Sequence, residues 1–361
     1  DDNTNAVKPV PDTTCYIQAV SHISIQQPLS DEWFEHPIEH LCPYNESIEP
    51  DYKTYFPPMV ARRMGRLLKR AVVTGIEALD GNTPDAIITG TGLGCIENTE
   101  KFLTAMIDNG EEFLQPTFFM QSTHNTIGSQ VALTLKCHGY NSTYSHRGTS
   151  FDSCLLDALV QLQRRDIHNA LVGGHDEMTP TYFNFLGKIG YWRNDDFTLD
   201  DLKRADKTGS LSGSCSLSMF ITDTCNEKTL CSIRGMKMLY KASLQQIEQS
   251  LHEILHKAKL SIQDIDAIVF GLSGDRDNDV VYMDFHRKIC PEIPILWYKH
   301  IFGESFCSSA FGVYAGALAL KRKTIPSHLL YNSTENVLSP KNILVFNHFQ
   351  NKNQSIILLS K

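Results

Sequence analysis

The chain has 361 residues, of which 42% are hydrophobic and 20% are charged, as in a globular protein with a sizeable core. The formal net charge of −8 gives no support for a nucleic-acid partner. No apolar run reaches the ~18 residues that a membrane span requires, so we expect no stable membrane insertion.

The ten cysteines are scattered, and none forms a Cys-x-x-Cys pair. Such spacing favours free thiols in a reducing compartment, so we expect a cytoplasmic protein. No cysteine spacing supports a zinc site, and we expect neither a metal nor a cofactor. The chain begins at Asp1 without a methionine, which suggests trimming or processing. The polar residues 1–12 are predicted to form a loose leader, and no signal peptide is visible.

The predicted elements of the first part alternate between strands and helices. In chain order they are a strand over Thr14–Ile25, a helix over Val60–Leu79, a strand over 84–90, helices over Gln121–Lys136 and Asp152–Arg164, and strands over Asn169–Gly174 and Leu217–Thr222. The second part repeats this alternation. It has a strand over Leu230–Gly235, a helix over Leu244–Lys259, a strand over 265–270, a helix over Ser305–Lys321, and a terminal hairpin of Asn342–Phe346 and Ser355–Leu359 across the polar loop Asn347–Gln354. This order predicts a layered α/β fold.

Two segments share an Asp-Ala-Ile core followed by a glycine break. They are PDAIITGTGLG at 84–94 and IDAIVFGLSG at 265–274, and an amphipathic helix precedes each. Short apolar runs of this kind are typical of buried central strands, and glycine lets the chain turn sharply where they end. We therefore predict two similar halves, residues 1–225 and 226–361.

The segment YSHRGTSF at 144–151 connects a strand to a helix, and a further strand ending in Gly173-Gly174 follows. This is the layout of a nucleophile elbow, in which a reactive side chain sits where the helix begins. The turn contains no cysteine. Cys154 lies too far inside the helix to use its N-terminal dipole, so a small buried hydrophobe is the predicted role of this residue.

The order of these motifs resembles the β-ketoacyl synthases of the thiolase fold. The resemblance continues through HNTIGSQVA at 124–132, HDE at 175–177 and the second-half stretch WYKHIFGE at 297–304. It implies a thiolase-like, five-layered αβαβα fold with two similar halves. It also implies a chemistry in which a cysteine thiolate at a helix N-terminus accepts an acyl group and two histidines assist decarboxylation.

When each catalytic position of the family is mapped onto this sequence, the residue that the chemistry requires is absent. The nucleophile position falls on Gly148, or on a neighbour within two residues, and the two histidine positions fall on Phe270 and Glu304. The family's late glycine-rich loop maps onto Asn347–Asn353, which has no glycine. The resemblance thus implies a former active site or substrate tunnel without a catalyst. Its predicted members are His146, Arg147, Gly148, Phe270, Lys299, Glu304 and Phe349.

Several residues of this region allow more than one interpretation. His146 and Arg147 could bind an anion at the helix N-terminus, or contact a partner chain and fill the vacated site, which we favour. Lys299 and Glu304 are expected to form a structural ion pair. His300 is a weaker candidate for a displaced catalytic histidine.

Two apparent binding motifs have simpler explanations. The run GDRDND at 274–279 lacks the central glycine and closing glutamate of a calcium loop, so a solvated turn that caps a helix is predicted. The segment TGTGLG at 89–94 fits the dinucleotide motif poorly, so its glycines are expected only to end a central strand.

The resemblance is strongest to the chain-length factors, the silent ketosynthase-like subunits of bacterial aryl-polyene and type II polyketide systems. It implies an active ketosynthase as heterodimer partner, with residues 142–145 at the interface, and an acyl carrier protein that delivers substrate. Two alternatives stay open. One is an active acyltransferase or thioesterase with relocated residues such as His146 or His300, and the other is a homodimeric acyl-binding scaffold.

Overall fold

The computed structural model describes residues 14–361; the leader predicted over residues 1–12 lies outside them. The strands are β1 Cys15–Ile23, β2 Ala86–Gly90, β3 Tyr140–Tyr144, β4 Asn169–Asp176, β5 Cys215–Thr222, β6 Cys231–Tyr240, β7 Ala267–Phe270, β8 Ile295–Trp297, β9 Thr324–Ile325, β10 Val337–Leu338, β11 Asn342–Phe349 and β12 Asn353–Ser360. The helices are α1 Pro58–Arg63, α2 Arg66–Leu79, α3 Ile96–Asp108, α4 Pro116–Ser122, α5 Thr126–Leu135, α6 Ser150–Arg164, α7 Pro180–Lys188, α8 Leu199–Arg204, α9 Leu244–Lys257, α10 Arg276–Ile289, α11 Lys299–Phe302 and α12 Ser309–Arg322.

Within residues 14–361, ten strands form one continuous sheet, in the order β3-β2-β4-β5-β1-β6-β12-β11-β7-β8. Its two sets of five strands repeat the same pairing. In each set the first strand of the chain pairs antiparallel with the last, the last pairs antiparallel with its other neighbour, and the remaining pairs are parallel. The sets join where Cys15–Ile17 pairs with Cys231–Ile233. The division between residues 225 and 226 remains a prediction, although it falls between β5 and β6.

Three buried clusters give the fold its layers. One contains α6 and α12 together with the facing sides of both strand sets, and it includes Phe151 and Phe311. The second packs α9 and α10 on the outer side of the second set, and the third packs α2 and α5 on the outer side of the first. The predicted five-layered αβαβα arrangement is therefore confirmed.

Three predicted elements differ from the structure. The helix predicted over Val60–Leu79 is two helices, because the chain is extended at Met64 and Gly65 between α1 and α2. The helix predicted over Gln121–Lys136 is likewise interrupted, since α4 ends at Ser122 and α5 begins at Thr126. The hairpin loop is much shorter than predicted, because β11 and β12 stay paired as far as Phe349 and Asn353.

Candidate functional site

The elbow between β3 and α6 is a tight turn built around Arg147. Its short helical turn, Arg147–Thr149, leads directly into α6. Arg147 has a φ of 48°, a left-handed conformation that is uncommon for a residue with a side chain. The hydroxyl of Ser150 accepts a hydrogen bond from the His146 amide and lies within 2.7 Å of the Arg147 carbonyl, to which it donates. The turn therefore keeps the strained geometry of an elbow, with arginine at its apex.

Aromatic side chains fill the space next to this turn. A Cβ placed on Gly148 would lie 2.3 Å from Cδ2 of Phe349, and one placed on Gly92 would lie 2.4 Å from Cβ of Phe306. The rings of Phe306 and Phe349 meet edge to face, and the guanidinium of Arg147 lies 5.5 Å from the centre of the Phe306 ring. A side chain larger than glycine at position 148 has no room unless Phe349 moves.

A cavity of about 540 Å³ opens beside the elbow. Gly148 and Phe349 line it, as do Lys299 and Glu304, so the structure brings together four of the seven predicted site residues. His146 and Arg147 are exposed on the turn and are not among the lining residues. Phe270 also lies elsewhere, as described below.

Lys299 and Glu304 form the predicted ion pair, with the lysine Nζ 2.5 Å from Oε2 of Glu304. The other carboxylate oxygen accepts hydrogen bonds from the Ser305 amide and the Ser308 hydroxyl. These donors lie just before α12, so the carboxylate is stabilised at a helix N-terminus. Both carboxylate oxygens of Glu304 therefore have bonding partners, and the ion pair has a structural role.

The assignment of Phe270 to this site needs correction. Phe270 packs on the outer side of the sheet, against Tyr282, Phe285 and Phe346, and does not line the cavity. Its neighbour Gly271 does not line the cavity either; a Cβ there would lie 2.5 Å from the Tyr282 hydroxyl and 2.9 Å from Oδ1 of Asn347. Phe270 ends β7 with its ring on the face of the sheet that α10 covers, so its side chain points away from the cavity.

His348 lies in the cavity wall but is held as a neutral structural residue. Its Nε2 donates to the Asn278 carbonyl at 2.8 Å, and its Nδ1 accepts from the Asn351 amide at 3.1 Å. Loss of hydration lowers the pKa of His348 to about 4. Both ring nitrogens are occupied, so this histidine has no free donor or acceptor for a substrate.

Buried carboxyl groups brace the cavity on the side of the first half. Asp176 accepts hydrogen bonds from the amides of Gly92 and Leu93, so the glycine turn at 89–94 binds an internal carboxylate. Glu177 accepts from the Glu97 amide, and burial raises the pKa of Glu177 to about 7. On α6, Asp152 accepts from the hydroxyls of Ser309 and Ser355. These hydrogen bonds join the end of β4 to the glycine turn and to α3, and join α6 to α12 and β12.

The run 274–279 is a helix cap, as predicted, although it is less solvated than predicted. Asp275 accepts from the amides of Asp277 and Asn278 at the start of α10. Asp279 is buried and accepts from the amides of Ser273 and Gly274. Among residues 14–361, no group of three or more His, Cys, Asp or Glu side chains is arranged to hold a metal ion.

The candidate relocated catalytic residues do not reach the cavity. His300 stacks on Trp297 with ring centres 3.7 Å apart, and loss of hydration lowers its pKa to about 3. Cys154 is fully buried in the central layer, and desolvation raises its thiol pKa well above the ordinary value, which confirms its packing role. None of the described residues that line the cavity is a cysteine.

Sequence reasoning missed Asn347 and His348 as individual wall residues. Both were placed in a polar loop, and alternation along β11 would assign these adjacent residues to opposite faces of the sheet, so no sequence signal groups them at one cavity. In the part of the chain that the structure describes, no helix is both long and apolar enough to cross a bilayer.

Comparison with known proteins agrees with this architecture. Residues 31–189 match the family model described as the N-terminal domain of β-ketoacyl synthase. The ishigamide ketosynthase/chain length factor superposes with a TM-score of 0.79 at 16% identity, covering 97% of this chain and 99% of the other. A β-ketoacyl synthase from Burkholderia phymatum STM815 gives 0.77 at 14% identity, with the same coverage.

A third similar structure is that of AntDE:AntF, a type II polyketide synthase acyl carrier protein in complex with its ketosynthase bound to the hexaketide. It gives a TM-score of 0.74 at 12% identity, again covering 97% of this chain and 99% of the other. No protein of curated function matches the sequence significantly.

Proposed function

Because the chain is a β-ketoacyl-synthase-like protein of the thiolase fold, we propose that it is a non-catalytic subunit that pairs with an active ketosynthase. Its role would be that of a chain-length factor in fatty-acid-type or polyketide-type elongation, such as aryl-polyene synthesis. We place this work in the cytoplasm, with an acyl carrier protein delivering substrate to the pair.

One observation carries the proposal: the acyl-acceptor position at the elbow is filled rather than merely altered. Phe349 occupies the space that any side chain at Gly148 would need, and Arg147 stands at the strained apex. A thioester exchange requires a thiolate that a substrate can reach. Neither Arg147 nor Gly148 can supply that group.

The surface beside the elbow supports pairing with another chain. Among the strands that the structure describes, β3 is the last at its end of the sheet, and an edge strand favours association with a further strand. Around it, α5 packs against β3, α4 packs against α5, and α3 packs against α4. They and the loop between α3 and α4 present large exposed apolar side chains: Ile107, Phe113, Phe119, Met120 and Leu133. We call these five residues the apolar rim; patches of this kind mark interaction sites.

The partner is expected to be an active ketosynthase rather than a second copy, because two silent chains would leave the pair without a nucleophile. The same reasoning favours a carrier protein as the source of substrate. The ishigamide and AntDE:AntF structures carry ketosynthase, chain length factor and carrier protein in their names, and we extend those associations to this chain as part of the proposal.

Co-expression with the ketosynthase encoded nearest to this chain tests the pairing. We expect a stable one-to-one complex on size-exclusion chromatography. Separately, octanoyl-N-acetylcysteamine should acylate the ketosynthase but leave this chain unmodified, as seen by intact-protein mass spectrometry. Acylation of this chain, or a stable homodimer that never exchanges with the ketosynthase, would contradict the proposal.

A further inference from the structure

The cavity beside the elbow has the size and the lining of a small-molecule site. Its volume of about 540 Å³ lies within the ordinary range for such sites. Large apolar side chains contribute to its lining, among them Leu186, Ile189, Trp192, Phe306 and Phe349. A molecule that fills this space therefore needs an apolar body.

The charged side chains of the lining favour a cationic head group. They are five carboxyl groups, from Asp176, Glu177, Asp275, Asp277 and Glu304, and one lysine, Lys299. The lysine is paired with Glu304. An anion placed here would lose its hydration without gaining a free counter-charge, whereas a cation gains carboxylates. The aromatic rings of the lining add to this preference, because ring faces attract cations.

Glu177 is the buried carboxyl group of the lining that has an oxygen without a partner. The residue is 5% exposed, and its Oε1 accepts a hydrogen bond from the Glu97 amide at 3.1 Å. Its Oε2 has no hydrogen-bond or ion-pair partner among residues 14–361, yet it is not one of the unpartnered atoms that the protein shields from solvent. Because Glu177 lines the cavity and has so little exposed surface, this oxygen is accessible from the cavity. In Asp176 and Glu304, by contrast, both oxygens accept bonds from protein groups.

The cations closest to Glu177 are committed to other carboxylates. Arg70 of α2 donates to Glu49, and Arg66 of the same helix pairs with Glu97 of α3. Burial therefore raises the pKa of Glu177 to about 7, although the two arginines act in the opposite direction. A ligand cation would supply the counter-charge that this carboxylate lacks.

We propose that this cavity binds primary amines with an apolar body, and that the Glu177 carboxylate accepts hydrogen bonds from their ammonium group. The complex is non-covalent, and Glu177 releases its proton to solvent wherever it still carries one. The proposal goes beyond the pairing with a ketosynthase. It requires neither a partner chain nor acyl transfer, so each of the two proposals can fail while the other stands.

Three eight-carbon probes test the head group on the full chain alone: octylamine, octanamide and octanoate. Isothermal titration calorimetry at pH 8 should show saturable one-site binding of octylamine, with octanamide and octanoate at least tenfold weaker. Octanamide binding as tight as that of octylamine would overturn the proposal, because the charge would then contribute nothing. Preference for octanoate would also overturn it, because an anionic head requires a free cation in the wall.

Two substitutions with the same change of charge test the residue. Glu177→Gln should weaken octylamine binding at least tenfold, because the amide can keep the bond from the Glu97 amide but carries no charge. Glu112→Gln, in the exposed loop between α3 and α4 and outside the cavity lining, should leave the affinity unchanged. If Glu177→Gln binds octylamine as tightly as the parent does, or if both substitutions weaken binding equally, Glu177 is not the acceptor. Circular dichroism verifies that each variant is folded.

Proton release tests the same contact in the unmodified chain. Octylamine should release protons at pH 6.5, where Glu177 is largely protonated, and fewer at pH 8; titration in two buffers of different ionisation enthalpy measures the number. Cys95, which lies nearby, stays a neutral thiol because burial raises its pKa, and the two arginines stay charged. The adjacent Asp176 is the other buried carboxyl group, and burial raises its pKa too. The absence of release at pH 6.5, or release that persists in Glu177→Gln, would overturn the proposal.

Discussion

Gly148 and Phe349 share one space: the phenyl ring lies where a Cβ at position 148 would have to be, 2.3 Å from Cδ2. The two residues lie 201 positions apart in the sequence, at the elbow before α6 and at the end of β11. Their packing connects the missing acyl acceptor at position 148 with the extension of β11 into the segment that the resemblance maps onto a glycine-rich loop. A side chain larger than glycine at position 148 and the phenyl ring at position 349 cannot occupy this space together.

This relationship predicts strong coupling between the two positions. Gly148→Ala should lower the free energy of unfolding by about 1–3 kcal/mol, because an added methyl group overpacks the site. In a Phe349→Ala background the same substitution should cost at least about 1 kcal/mol less. Urea unfolding of the four proteins measures both values.

Gly187→Ala on α7 is the control, since a Cβ there meets only Cδ1 of Trp192, at 3.6 Å. That substitution should be neutral or slightly stabilising. Additive costs at positions 148 and 349 would show that the ring does not occupy the glycine's space in solution.

The Lys299–Glu304 pair predicts unequal costs for its two halves. The side chain of Lys299 is 6% exposed and that of Glu304 is 22% exposed. Glu304→Gln leaves a buried ammonium uncompensated and should cost about 3 kcal/mol. Lys299→Met should cost less, because the carboxylate keeps Ser305 and Ser308 as donors.

The double variant Lys299→Met/Glu304→Gln should be more stable than the sum of the single costs implies, since no buried charge is then left alone. Chemical denaturation at fixed pH measures this cycle. Simple additivity would mean that the two groups do not interact in the folded protein.

Glu177 predicts a pH dependence of stability near neutrality. Its pKa rises from 4.5 to about 7 because burial disfavours the charged form. The folded state therefore holds this proton more tightly than the unfolded state does, and the associated stability is lost as pH rises through 7. Between pH 5 and pH 8 the free energy of unfolding of the parent should fall by about 2–3 kcal/mol relative to that of Glu177→Gln.

The glutamine can keep the hydrogen bond from the Glu97 amide, so the comparison isolates ionisation. The measurement is the midpoint of urea unfolding of both proteins at several pH values. Parallel profiles would contradict the raised pKa of Glu177.

The sequence predicts the frame of this molecule better than its site. The repeated Asp-Ala-Ile strands and the alternation of elements were sufficient for the layered fold, because buried periodic segments depend mainly on local pattern. Phe270 shows the limit. A strand buried on both faces is apolar throughout, so its pattern does not tell whether Phe270 lies on the cavity side or on the outer side of the sheet.

The prediction that residues 347–353 lie in a polar loop was wrong for a different reason. Asn, Gln and Lys are typical of loops, yet β11 continues through Asn347–Phe349 and stays paired with β12, and tertiary partners bond two of its polar side chains. His348 bonds the Asn278 carbonyl, and Asn347 bonds Tyr298. Those partners are distant in the sequence, so no local pattern contains them.

The apolar rim predicts where a partner chain binds. Phe113 is 90% exposed and lies in the loop between α3 and α4. Phe113→Asp should weaken the complex with the ketosynthase at least tenfold, because a carboxylate buried against an apolar partner surface lacks a counter-charge. Leu338→Asp is the matched control, since Leu338 is 75% exposed on β10 and lies outside the rim. Analytical ultracentrifugation of each variant with the ketosynthase measures the affinity; equal weakening by both substitutions would place the interface elsewhere.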